Sequence, residues 1–156
     1  MATGSPELPA RSPADVVAIW LKPRRGSPMQ RVEQADLVAG RGLVGNADQG
    51  GRRQITIIDE AAWRAATDQL GIALDPAERR ANLMLRGIDF RNSRGRMLRI
   101  GNCTIRIFTE TRPCTKLDKI RPGLVAVLKD GWRGGVTGEI VEGGTIHIGD
   151  IASWIA

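Results

Sequence analysis

The stretch Met97–Thr111, MLRIGNCTIRIFTET, reads as two extended runs folded back about Gly101-Asn102. Apolar and β-branched residues alternate with polar ones on both sides of that pair, and glycine and asparagine both tolerate the positive φ of a tight hairpin turn. Period-two alternation sends Cys103, Ile105 and Ile107 to one face of the second run, with Thr104, Arg106 and Phe108 on the other. Cys103 is therefore expected in the core. The run ends where Pro113 removes a backbone donor and holds its predecessor out of helical geometry, which places the next residue, Cys114, on a loop.

Working outward, the chain repeats the same theme of short extended runs separated by turn residues. ADVVAIWL is an apolar, β-prone run stopped by Pro23, and RRQITIIDE alternates up to Asp59. Asp59 is placed to cap a helix over EAAWRAATDQL that closes at Gly71. Asp75-Pro76 has the form of a cap followed by proline at the first helical position, opening one short turn before the extended NLMLRGI. Beyond Cys114, Pro122 is placed to open a helix and Gly131 to close it. The final GGVTGEIVEGGTIHIGDIASWI gives two or three short strands joined by Gly143-Gly144. The sum is a mainly β fold with a few helices, an α+β chain. A small closed or half-closed β-barrel accommodates it best, because closure removes exposed strand edges.

Length sets the organisation. The chain has 156 residues, enough for one domain that buries roughly two thirds of its unfolded surface. Residues 1–13, rich in Pro, Ser, Gly and Ala without hydrophobic periodicity, are expected to form a disordered tail, with residues 14–156 as the domain. No apolar segment has the length or flanks of a secretory signal or a membrane span, so a cytoplasmic protein without membrane partners is expected.

Net charge is +6, yet only four of the 23 basic residues are lysines, and the arginines are spread along the chain. Tyrosine is absent and aromatics make up 4% of the sequence, which leaves little for a base-stacking surface. Nucleic acid is accordingly not the expected partner. A small phosphorylated ligand makes better use of the charge, since arginine matches phosphate geometry.

The chemistry centres on Cys114. Arg112 and Lys116 flank it, and nearby cations favour the thiolate, the form that attacks electrophiles, carries sulfur or binds soft metals. An incidental loop cysteine has the same local sequence. Metal-ligand spacings such as CxxC or HExxH are missing, and the one histidine, His147, alternates with Ile146 and Ile148 as an outward residue of a terminal strand. Pairing of Cys114 with His147 would need proximity that sequence does not show. The glycine-rich AGRGLVGNADQGGRRQ, residues 39–54, lacks the phosphate-loop pattern, but its backbone is suited to cradle an anion with Arg52 and Arg53 supplying charge. A plain connection between strands reads the same way. In ERRANLMLRG, Arg80 and Asn82 alternate into a strand as a polar wall beside an apolar run, an arrangement shared by ordinary edge positions.

Taken together, GLVGNADQGGRRQITIID, RRANLMLRGIDF, IGNCTIRIFTETRPCTKLDKIRPGL and RGGVTGEIVEGGTIHIGD resemble, in this order, the MOSC domain family, stand-alone relatives of the C-terminal domain of molybdenum cofactor sulfurase. The resemblance implies a β-barrel with flanking helices and one key cysteine, aligned with Cys114. In the family this residue coordinates the molybdenum of a pterin cofactor or carries a persulfide. The resemblance also places Arg80 and Asn82 near the pterin or its phosphate and maps the glycine-rich loop onto Gly45–Gln54. Many relatives carry an Asp and a His in a GDxH-like segment there; this chain reads Gly45-Asn46-Ala47-Asp48-Gln49.

The expected function is thus a MOSC protein that holds a molybdenum-pterin cofactor through Cys114, with Arg52, Arg53, Arg80, Asn82, Arg112 and Lys116 around it. It would reduce small N-hydroxylated or N-oxygenated substrates, drawing electrons from a separate donor. The alternative is a persulfide carrier, a sulfurtransferase fed by a pyridoxal-phosphate cysteine desulfurase. A third, of another class, is a basic nucleic-acid-binding barrel without catalysis, whose affinity would fall steeply with salt.

Overall fold

The computed structural model describes residues 13–111 and 116–155. The expected tail lies outside these residues except for Pro13, as do Arg112 and Cys114. In chain order the strands are β1 (Ala14–Leu21), β2 (Gln30–Val32), β3 (Gln34–Val38), β4 (Gly42–Leu43), β5 (Ile55–Asp59), β6 (Leu83–Arg86), β7 (Met97–Ile100), β8 (Cys103–Glu110), β9 (Val136–Glu142), β10 (Gly144–His147) and β11 (Ile151–Trp154). Three helices accompany them: α1 (Glu60–Leu70), α2 (Lys116–Ile120) and α3 (Leu124–Lys129).

Seven strands close into a barrel in the order β11-β7-β8-β9-β5-β6-β1, with β1 returning to β11. The expected barrel is therefore closed. β1 makes closure possible by changing partners along its length: Ala14 and Asp15 pair with β11, Asp15 to Ile19 pair with β6, and Ile19 to Leu21 pair with β2. A register shift between Val16 and Ala18 lies where these partners change, as expected of a bulge that bends one strand round a corner. Among the described residues only β5 and β6 run parallel, with Ile57 opposite Leu83. A parallel pair needs a crossover, and α1 provides it.

Local sequence accounts for the crossover. Asp59 ends β5 and caps α1, its Oδ2 accepting from the Ala62 N–H at 3.1 Å, while Gly71 stops the helix at φ 67°. The other carboxylate oxygen of Asp59 accepts from the Ile88 N–H at 3.1 Å, so one buried side chain fastens the helix start to the segment after β6. Ile55, Ile57, Leu83, Leu85, Leu98, Ile100, Cys103, Ile105, Ile107 and Val136 fill the barrel. Ile58 and Met84 face the opposite side and pack with Trp20, and Trp63 and Ala66 of α1 pack against Leu124 and Leu128 of α3. Leu83, Met84 and Leu85 of β6 read as a continuous apolar run because both faces of the strand are covered.

The hairpin about Gly101-Asn102 forms in the expected register, Ile100 opposite Cys103. Several details differ from expectation. Gly143-Gly144 does not join paired strands: β9 lies between β8 and β5, whereas β10 pairs with β3 in a separate three-stranded sheet that also holds β4. A side chain at Gly143 would put Cβ 2.4 Å from the Leu37 carbonyl, so glycine is required where the chain changes sheets. Helix α2 was not anticipated, and α3 starts at Leu124, with Gly123 rather than Pro122 at its N-cap.

Candidate functional site

Four neighbouring barrel strands bring polar side chains to one rim. A cavity of about 310 Å³ there is lined by Asp48, Arg53, Thr56, Arg79, Arg80, Thr111 and Thr137. Arg53 comes from just before β5 and Thr56 from its start, Thr137 from β9, Thr111 from just after β8, and the arginine pair from the turn that leads into β6. These contributions converge because β9 sits between β8 and β5, and β5 between β9 and β6.

The arginine pair is set by a short 3₁₀ turn, Pro76–Arg79. Asp75 caps it through the Ala77 N–H at 2.9 Å, and Arg80 closes it in the left-handed region at φ 63°. A non-glycine residue holds that conformation at a cost of about 1 kcal/mol. Arg80 is thus a turn-closing residue before the strand, rather than part of it as its alternation suggested. Arg79 Nη2 donates to the Gly134 carbonyl at 2.9 Å and to the Thr111 hydroxyl, which itself donates to the same carbonyl at 2.6 Å. That carbonyl is available because Gly135 follows at φ 88°, where a Cβ would stand 2.2 Å from the Ile57 carbonyl.

Asn82 is 6% exposed and engaged with the framework. Its Oδ1 accepts from the Thr56 N–H at 3.0 Å, and its Nδ2 donates to the Trp20 carbonyl at 3.3 Å and to Asn46 Oδ1 at 3.2 Å. It positions the pocket wall from behind. Asn46 Oδ1 accepts a second bond from the Lys22 N–H at 2.8 Å, and the Ala47 N–H donates to the Lys22 carbonyl at 2.7 Å. Asp48 completes this docking with an ion pair to Lys22, Nζ to Oδ2 2.7 Å. The segment Asn46-Ala47-Asp48 is therefore fastened to the end of β1 at successive residues.

Arg52 and Arg53 both stack on Phe108, with guanidinium carbons 5.4 and 5.9 Å from the ring centre. Of the two, Arg53 lines the cavity. Lys116 is exposed at the first residue of α2. Cys114 and Arg112 fall outside the described residues, although Thr111, three residues before Cys114 in sequence, lines the cavity. His147 is exposed, its Nδ1 3.7 Å from Asp150. Cys103 is fully buried; burial, and secondarily the charge of Asp150, pushes its thiol pKa up. Among the described residues no group of His, Cys, Asp and Glu has the makings of a metal site, and no helix is long and apolar enough to cross a membrane.

Sequence reasoning missed Arg79, Thr56, Thr111, Thr137 and Asp48 as cavity residues. The Arg79-Arg80 doublet was a usable signal for the first; the threonines look like ordinary strand residues until the barrel closes.

What the fold and rim define is a small closed barrel with an arginine-lined cavity beside the end of β8. The sequence profile of the MOSC domain matches residues 13–153, and the chain belongs to that family. No curated protein matches the sequence. The fold is similar to the crystal structure of the YUAD protein from Bacillus subtilis, with a TM-score of 0.74 at 16% identity, covering 92% of this chain and 96% of that one. It is also similar to YiiM from Geobacillus stearothermophilus, with a TM-score of 0.71 at 14% identity over 92% and 76% of the two chains. For YiiM from Escherichia coli the values are 0.66 and 19%, over 95% and 71%.

Proposed function

We propose that this protein binds a molybdenum-pterin cofactor with Cys114 as the metal-coordinating thiolate and reduces small N-oxygenated compounds. The observation that carries the reading is the set of three arginines, Arg53, Arg79 and Arg80, converging on a cavity that Thr111 also lines. Three residues of extended chain span at most about 11 Å, so a thiol three positions beyond Thr111 is within reach of this rim. Guanidinium groups match phosphate oxygens in shape and charge, so the donor set suits the phosphate of such a cofactor. When bound, the cofactor would supply the two-electron redox chemistry that the side chains alone lack.

The remaining residues serve binding and orientation. Arg53 and Arg80 offer charge, Thr56 offers a hydroxyl, and Asn82 fixes the Thr56 backbone, while the buried Thr137 hydroxyl donates to the Ile55 carbonyl at 3.1 Å. A separate protein must donate electrons, since the sequence shows no flavin or iron–sulfur motif. The persulfide-carrier alternative uses the same thiol but assigns the arginines no role. Expression in a cofactor-producing host, with molybdenum and pterin measured on purified wild type and an Arg53→Ala/Arg80→Ala variant, tests the reading. Loss of both with the fold retained is expected; equal loading would count against an anchoring role for the arginines.

A further inference from the structure

Asp48 stands out in the cavity as a carboxylate among three guanidinium groups. A site built only to bind phosphate would gain nothing from it, because its charge opposes the anion. Its side chain is 46% exposed, yet it is held in place. Lys22 grips its Oδ2 at 2.7 Å, and the preceding residues dock on the same lysine through the Lys22 N–H to Asn46 and the Ala47 N–H to the Lys22 carbonyl. Lys22 is largely covered, with 22% of its side chain exposed. Gln49 adds two more restraints, donating to the Leu43 carbonyl at 2.8 Å and the Asn46 carbonyl at 2.9 Å. The chain thus spends five polar contacts on holding this segment at the cavity edge.

We propose that Asp48 is a specificity-determining residue: it accepts a hydrogen bond from the ligand, so the cavity selects small molecules that combine an anionic group with an N–H donor such as an ammonium or amidine. The arginines take the anion, and Asp48 takes the donor. Lys22, which stands outside the cavity lining, fixes the carboxylate. The inference rests on the cavity being the ligand site of the proposed function, and it adds which second group the ligand carries.

Two probes of equal heavy-atom count separate the contributions: O-phosphoethanolamine, and propyl phosphate, in which a methyl replaces the ammonium. Calorimetric titration of the full-length protein at fixed ionic strength should show a preference for phosphoethanolamine of about tenfold, the scale of one partly solvated charge contact. Asp48→Asn should abolish or reverse that ratio, weakening phosphoethanolamine and strengthening propyl phosphate. Arg80→Ala should weaken both probes alike. A merely structural Asp48 would lower the melting temperature and leave the ratio untouched, which overturns the proposal. No preference in wild type, or no binding of either probe, overturns it as well, without needing any variant to fold. Molybdenum and pterin content of the same preparations reads the cofactor proposal separately.

Discussion

Arg79 and Thr111 share one acceptor, the Gly134 carbonyl, at 2.9 and 2.6 Å, and also bond to each other. The contact joins the turn before β6 to the end of β8 across the mouth of the cavity. Thr111→Val keeps the shape but removes the hydroxyl, leaving an arginine N–H short of its acceptor. A loss of about 1–2 kcal/mol is expected, read as a shift in the denaturation midpoint, with Thr111→Ser close to wild type. An unchanged midpoint in the valine variant would show that the shared acceptor contributes nothing.

Asn82 and Asn46 look equivalent in sequence but differ in polarity. Asn46 uses its oxygen as acceptor from two N–H donors, whereas Asn82 must donate from Nδ2 to Trp20 and Asn46. Asn82→Asp places an oxygen against two oxygens in a buried site and should destabilise by about 3 kcal/mol or more. Asn46→Asp retains both acceptor bonds and should cost clearly less. Chemical denaturation of the two variants side by side checks the ranking, and the reverse order would contradict the assigned amide orientations.

Asp59 carries a pH signature. Burial raises its pKa above the usual 3.8, and the backbone N–H donors, Ile88 foremost, offset this only in part. A carboxyl raised on folding favours the folded state most when protonated, so its contribution is full below the unfolded value and declines as pH rises through the folded one. The stability of Asp59→Asn relative to wild type should therefore improve between about pH 3 and about pH 7, whatever its offset from losing one acceptor. A wild-type advantage that grows with pH would mean the shift has the opposite sign.

Features governed by neighbours in sequence were legible without coordinates. The Asp59 cap, the Gly71 stop, the Asp75-Pro76 turn and the hairpin at Gly101-Asn102 each depend on a few adjacent residues. Partner choice was not legible. That β1 changes partners across a bulge, or that β10 leaves β9 for β3, depends on pairings between residues distant in sequence. Strands β2 and β4, only three and two residues long, are too short to show a period. At the site, Arg53 and Arg80, expected to bind cofactor, line the cavity, while Asn82, expected to do the same, turns its amide to the framework. A polar residue beside an apolar strand has the same local sequence whether it faces ligand or backbone. Asp48 was noticed only as a departure from a family pattern, because its meaning depends on Lys22, 26 residues earlier in the chain.

The two cysteines should react very differently. Cys103 is fully buried with its pKa pushed up, and both conditions suppress the thiolate. Brief treatment of the folded protein with iodoacetamide at neutral pH should give one adduct, at Cys114, and peptide mass mapping locates it. Cys103→Ala should lower stability by about 1 kcal/mol through a small core truncation. Modification of Cys103 at a comparable rate would contradict the assignment of chemistry to Cys114.

The central claim is that Cys114 holds the metal of a pterin cofactor, and the most direct measurement is molybdenum per protein after expression in a cofactor-producing host. Wild type and Cys103→Ala should carry molybdenum and pterin together, and Cys114→Ser should fold, melting as the cofactor-free wild type does, but lose the metal. Molybdenum retained in Cys114→Ser, or absent from the folded wild type, would contradict the account.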